Sequence, residues 1–240
     1  TLNRPSAKNA FNERMYNELA DALLEAREER EARVIVLTGA GQAFSAGQDL
    51  GEMNAVHEGP VGFERLIDSL EDFDKPIVAA VNGVGVGLGF TILLHTDINV
   101  FAASARLRLP FLPLGVVPEA ASSFLLPQRI GYQRAAELVL TARWVPADEA
   151  LSLGIALEVV PDDELITRAM THASRIAAQP PAAARHSKRL LRAAERDQVK
   201  AARAREVDAF RVRLGSPENL EAVRAFFEKR PPDFSNLPPE

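Results

Sequence analysis

The sequence predicts an α/β fold, with parallel strands covered by helices, followed by an all-helical C-terminal region. Three observations carry that expectation. Short apolar, β-branched runs such as VIVL (34–37) and PIVAAV (76–81) alternate with segments of helical period. Several of these runs end in glycine and other small residues, which turn the chain. Beyond Pro161 the alternation stops and alanine-rich, charged helical stretches take over.

The elements follow in order. Between Asn12 and Arg27, apolar Met15, Leu19, Ala22, Leu23 and Ala26 recur at helical spacing, with Asn12 and Glu13 suited to a helix start. Arg33 to Leu37 is a strand ended by Gly39–Gly41. Phe44 to Leu50 is a small-residue loop leading to an irregular connection around His57, Glu58, Gly59 and Pro60. Val61 to Phe73 is helical, Lys75 to Val81 a second buried strand, and Gly87 to Leu94 a buried helix after a glycine-rich turn. Thr96–Ala102 and Ala105–Leu109 are further short strands. Pro118 opens another helix, ending near Pro127; short helices at Ala135–Leu140 and Ala147–Leu153 precede a strand at Leu157–Val160. Helices over Asp163–Ala178, Ala182–Arg196 and Asn219–Lys229 complete the chain. The natural division is 1–160 as a core and 161–240 as a helical lid, oligomerisation layer or both. Strand order does not follow from this reading.

Composition narrows the function. The chain has 240 residues, 47% of them hydrophobic and 25% charged, enough to bury a sizeable core. A net charge of −5 gives no global field for nucleic acid. The absence of cysteine excludes disulfides, thiolate metal sites and cysteine nucleophiles, and fits a cytoplasmic location. No window has the apolar length of a membrane span, so no membrane partner is expected. The opening TLNRPSAKNA has no initiator Met, which leaves a preceding segment open. His57, His95, His172 and His186 form no HExxH, so no metal is expected.

The glycines of VNGVGVGLGF (81–90) do not fit a dinucleotide site. GxGxxG started at Gly83 puts Leu88 in the last glycine position, and started at Gly85 it puts Phe90 there. Close packing of a strand, turn and helix accounts for them. The same turn leaves backbone N–H groups unpaired at a helix start, where they can hold an anion or a developing negative oxygen. GAGQAFSAGQDL (39–50) poses the same choice, between a plain surface loop and a loop whose Gln48 N–H faces a ligand. Asp49 either serves that loop's own backbone or a site. Two small-residue loops, each following a buried strand, offer what an oxyanion hole requires.

At this point the chain resembles a known family. The segments NRPSAKNAFN (3–12), VIVLTGAGQAFSAGQDL (34–50), KPIVAAVNGVGVGLGF (75–90), LPLGVVPEAASSFLLPQRIG (112–131) and RAAELVLTARWVPADEALSLGIALEVVP (134–161) are similar, in that order, to the crotonase superfamily of enoyl-CoA hydratases and isomerases. The resemblance implies a spiral of ββα units with a C-terminal helical trimerisation region, a homotrimer or hexamer, and an acyl-CoA substrate of which coenzyme A is part, with no cofactor. It implies Gln48 and Leu88 as backbone N–H donors to the thioester oxygen. It implies CoA contacts with the backbone along Phe44, Ser45 and Ala46, and an N-terminal strand ending near Leu2.

It also locates the chemistry. Hydratases of the family use two glutamates to activate water, and the matching positions here are Thr91 and Phe111, which line the expected acyl pocket but carry no carboxylate. Glu119, in PEAASS, resembles the single catalytic glutamate of the peroxisomal-type Δ3,Δ2-enoyl-CoA isomerases, and the terminal FFEKRPPDFS resembles that subgroup's tail. The implied reaction is a shift of a 3-enoyl double bond to trans-2. Alternatives are isomerisation of a ring-derived acyl-CoA, an atypical hydratase, or a non-catalytic acyl-CoA binder. From position alone Glu119 is a first-turn glutamate, with apolar neighbours raising its pKa and a helix N-terminus lowering it. His95 is expected to be packed, Asp97 to support a turn, Ser122 and Ser123 to allow close helix packing, and Asp72, Asp74 and the arginines of 203–213 to face solvent, with CoA phosphate or subunit contact as the alternative for the arginines.

Overall fold

The structure, a computed structural model, describes residues 1–52 and 62–237. The expected connection at His57–Pro60 lies outside these residues. Helix α1 (Glu13–Glu28) starts where Asn12 accepts a hydrogen bond from the Met15 N–H, and it buries Met15, Tyr16, Ala20 and Leu23. Strands β1 (Ile35–Thr38) and β2 (Ala43–Ser45) precede helix α2 (Gly62–Asp72), which packs against α1. Strands β3 (Ile77–Val81) and β4 (Val84–Val86) precede helix α3 (Leu88–Thr91), and β5 (Ile98–Ala102) and β6 (Arg106–Arg108) precede α4 (Ser122–Ile130). Then come α5 (Tyr132–Thr141), β7 (Val145–Pro146), α6 (Ala147–Ser152) and β8 (Glu158–Val160).

Each pair of strands feeds two sheets. The first runs β1-β3-β5-β8 with every neighbour parallel, in registers such as Ile35 opposite Ile77 and Val78 opposite Ile98. The second runs β2-β4-β6-β7, parallel except for the final pair. Strand–strand–helix units that repeat while contributing one strand to each sheet make the expected ββα spiral. All five residues of β3 are buried, as the unbroken apolar run of a parallel strand covered on both faces requires. β2 and β4 were not foreseen. Each is three residues long and lies inside a stretch whose glycines and small side chains hide any alternation.

The C-terminal helices are α7 (Leu165–Ala177), α8 (Pro181–Ala193), α9 (Arg196–Arg213) and α10 (Pro217–Glu228). α7 lies across β1, β3 and β5, and α9 packs on α4. α8 is tied down by ion pairs that correct two expectations. Asp74 is buried rather than solvent-facing, and meets the guanidiniums of Arg185, at 2.7 Å, and Arg189. Asp97 does more than support a turn: it accepts the Ile77 N–H at 2.7 Å and holds the buried Lys188 Nζ at 2.8 Å. Long basic side chains from the helical region thus neutralise carboxylates at one end of the first sheet, a pairing that only the fold brings together. Asp72 does remain exposed, paired with Arg196.

A further correction concerns α4. It begins at Ser122, four residues after the expected Pro118, and runs through Pro127 to Ile130. Ala120 and Ala121 take left-handed backbone conformations, with φ of 57° and 58°, and break any helix beginning at Pro118.

Candidate active site

Two loops meet at the centre of the molecule. A Cβ added to Gly47, whose φ is +83°, would sit 2.4 Å from the Val86 carbonyl and 3.4 Å from the Leu88 nitrogen. One added to Gly89 would sit 2.3 Å from the Ser45 carbonyl. Glycine at both positions lets the backbones touch, and so sets Gln48 beside Leu88. Neither the Gln48 N–H nor the Leu88 N–H has a hydrogen-bond partner among the described residues. Leu88 opens α3, where such donors are left over.

The first loop is braced from below. Ser45 Oγ donates to the Asn9 carbonyl at 2.8 Å and accepts the Gly47 N–H at 3.1 Å, while Asn9 Nδ2 donates to the Ala43 carbonyl at 2.7 Å. Asp49 serves its own loop, accepting the Gly51 N–H, and also binds the Arg4 guanidinium at 3.0 Å. The Tyr16 hydroxyl donates to Gln48 Oε1, and its ring stacks on Phe11 with centroids 5.1 Å apart.

A cavity of about 1060 Å³ opens beside these loops. Gln48, Leu88, Phe111, Glu119 and Ala46 line it. Phe44, Ser45 and Thr91 do not. Phe44 and Ser45 are fully buried beneath the first loop, and Thr91 is fully buried in α3 with its hydroxyl unpartnered among the described residues. Of the three residues whose backbone was expected along CoA, Ala46 lines the cavity, while the side chains of β2 are all buried. Another wall comes from the C-terminal region, through Val207 and Phe210 of α9, Leu214 just after it, and Phe226 and Phe227 of α10.

Glu119 occupies the turn before α4, not its first turn, so the helix dipole exerts no pull there of the kind a first-turn glutamate feels. The residue is largely buried and lines the cavity, and its carboxyl makes no hydrogen bond among the described residues. Burial pushes its pKa up to about 8, and the neighbouring Glu206 carboxylate adds to the shift. His95 is packed, as expected. Its Nε2 lies 2.8 Å from the Ala120 carbonyl, so that nitrogen carries the hydrogen. Burial, with Arg192 nearby, holds the imidazole down at about 3, hence neutral. Ser122 is buried with its hydroxyl unpartnered among the described residues.

The stretch 203–213 is not a plain solvated face. Arg203 is largely buried, bonds Asp68 and lies 3.6 Å from Glu71, and it lines the cavity with Arg211. Glu206 is 6% exposed and also lines it. Sequence reasoning missed Glu206 because α9 is charged on nearly every face. The available signal was an acid at helical spacing from Ala202 and Phe210, two apolar residues of the inward face.

Among the described residues no cluster could hold a metal ion, and no helix is long and apolar enough to cross a membrane. The profile of the family described as "Enoyl-CoA hydratase/isomerase" matches residues 1–237. The chain is 35% identical to the 1,2-epoxyphenylacetyl-CoA isomerase of Escherichia coli K12, over 98% of this chain and 93% of that protein. It is 34% identical to enoyl-CoA delta isomerase 2 of Rattus norvegicus, over 96% of this chain and 61% of that longer protein. The structure superposes with a TM-score of 0.93 on a crystal structure of an enoyl-CoA hydratase/isomerase from Pseudoalteromonas atlantica T6c, at 41% identity, covering 97% of this chain and 94% of that one.

Proposed function

The chain belongs to the enoyl-CoA hydratase/isomerase family, and from that premise we propose that it shifts a 3-enoyl-CoA double bond to the trans-2 position, with Glu119 as the single acid–base. The observation that carries the reading is the Glu119 carboxyl, free of hydrogen bonds among the described residues, in the cavity that Gln48 and Leu88 line. Its pKa of about 8 suits a group that must take a proton and give it back near neutrality.

The chemistry runs in two steps. The N–H groups of Gln48 and Leu88 hold the thioester oxygen as it gains charge, a stabilisation worth about 2.7–4 kcal/mol per donor. Glu119 removes the C2 proton, and the C–H electron pair enters a dienolate that spreads to C4. C4 then takes the proton from Glu119, which returns to carboxylate. Coenzyme A belongs to the substrate, and no separate cofactor enters. Phe111 and Thr91 leave the hydratase glutamate positions without a carboxylate, and Phe111 gives the wall an apolar face.

The deciding measurement is turnover of a 3-enoyl-CoA by Glu119→Gln. We expect loss of at least about 10³-fold in kcat, in the range that losing a proton-transfer group produces, with acyl-CoA binding retained. Wild-type-like turnover in that variant removes Glu119 from the mechanism. A ring-bearing acyl-CoA is the second reading. It draws support from the name of the E. coli relative and from the aromatic lining by Phe63, Phe111, Phe210 and Phe226. Comparing linear with ring-bearing thioesters separates the two, and hydration of crotonyl-CoA is expected to be absent from both.

A further inference from the structure

The cavity holds a second buried carboxylate beside Glu119. Glu206 reaches from α9 to the turn that carries Glu119. Its Oε2 accepts the Ala121 N–H at 2.6 Å and its Oε1 accepts the Ser123 N–H at 2.7 Å. Between those contacts and Glu119 lie the left-handed Ala120 and Ala121, conformations that alanine holds only when its surroundings impose them. Contacts from several elements hold them here: the His95 Nε2–H on the Ala120 carbonyl, the Ser122 N–H on the Glu119 carbonyl at 3.0 Å, the Phe124 and Leu125 N–H groups on the Ala121 carbonyl, and Glu206 on the Ala121 N–H. Only Glu206 among these brings a negative charge.

We propose that Glu206 is a positioning residue for Glu119: it clasps the Ala120–Ala121 turn so that the Glu119 carboxyl stands in the cavity, and its charge favours the proton's residence on Glu119 between removal from C2 and delivery to C4. The proposal rests on Glu119 being the base. Two N–H donors, one to each oxygen, match a carboxylate, whose two oxygens accept equally, better than a carboxylic acid, one of whose oxygens carries a hydrogen. Burial pushes the Glu206 pKa up, opposed by hydrogen bonds from the Ser123 side chain and from the two backbone N–H groups, and by Arg205. The proton balance is complete within the pair. The C2 proton goes to Glu119, stays there while the dienolate exists, and leaves to C4, with Glu206 unprotonated throughout.

Other charged groups around Glu119 do not take over this role. Tyr16, from α1, has its pKa raised well above 10 by burial, with Glu119 adding, and stays neutral. Glu13, Asp49 and Glu52 act on Tyr16 and line the same cavity. His95 is neutral. Arg203 and Arg211, from α9, and Arg230, after α10, line the cavity as fixed cations, and Glu64, from α2, lines it too, paired with Arg211 at 3.7 Å. Among the described residues, His95 is the one of these groups that hydrogen-bonds the Ala120–Ala121 turn.

The test is the pH dependence of 3-enoyl-CoA isomerisation by Glu206→Gln, with Glu119→Gln as the reference. The alkaline-rising limb of kcat/KM is expected to move down by about one unit as the like charge is lost. kcat is expected to fall about 10- to 100-fold as the turn loosens. A limb that superposes on wild type overturns the proposal, whether kcat falls or not, since a purely structural clasp would leave it in place. Glu206→Asp keeps the charge and withdraws the oxygens, so its limb is expected to stay while kcat falls. If Glu206→Gln fails to fold, this variant decides, and unchanged kcat overturns the clasp. Full activity in Glu119→Gln would instead defeat the reading of Glu119 itself, a different result from a silent Glu206.

Discussion

Glu119 owes its proton affinity to where the chain bends. Had a helix started at Pro118, its N-terminus would have favoured the charged carboxylate. The left-handed Ala120–Ala121 turn instead sets Glu119 ahead of α4, against apolar walls and a second carboxylate. Two consequences can be measured. kcat/KM for isomerisation is expected to rise with pH and level off above about 8, as the base form fills. Stability moves the other way. The folded value of about 8 lies above the ordinary 4.5, so between these pH values the folded state binds more protons than the unfolded one. Folding stability from this group therefore falls as pH rises through that window, by at most about 1.4 kcal/mol per unit. Glu119→Gln is expected to melt with wild type below pH 4.5 and increasingly above it up to about pH 8. Calorimetry across that range would show a constant gap if Glu119 were an ordinary solvated acid.

At the scale of elements, the site depends on two loops whose backbones touch through glycine. Gly47→Ala would force a Cβ into the Val86 carbonyl, at a backbone angle alanine resists. The loops would part, and the Gln48 and Leu88 donors with them. We expect kcat to drop by about 10²–10³-fold, the loss seen when one oxyanion donor goes, together with a lower melting temperature. Wild-type kcat in that variant would mean that the two loops do not act as one unit. Much of this layer was legible beforehand. Asn12 marked the start of α1 by its capping chemistry, and the apolar run of β3 marked a buried parallel strand. The breaks in legibility are physical. β2 and β4 are too short for a period, and α4 was misplaced because proline signals a helix start locally while the left-handed alanines answer to Glu206 and His95 far away in sequence.

For the whole molecule, topology was legible through family resemblance rather than pattern. Nothing in the periodicity orders β1-β3-β5-β8, whereas the ordered motifs implied the ββα spiral. The ion pairs of Asp74 and Asp97 with α8, and the α9 wall of the cavity, join residues too distant for local rules. The family resemblance also motivates a trimer, which we propose as the assembled state. Leu190 and Leu191 on α8 stand 76% and 82% exposed in the single chain, as do Tyr132 and Leu140 of α5 at 78% and 65%, and such side chains are suited to subunit contact. Light scattering is expected to return three or six times the 26.1 kDa chain mass. A monomeric mass would leave those residues without an explanation in assembly.

The clasp of Glu206 on Ala121 spans 85 residues of chain, which makes the order of biosynthesis matter. On a ribosome adding 5–20 residues per second, Glu119 emerges roughly ten seconds before its partner. During that interval the nascent polypeptide carries the Gln48 and Leu88 loops and Glu119, yet neither the α9 wall of the cavity nor the clasp. A product terminated before α9 would lack that wall of the cavity and both hydrogen bonds of Glu206.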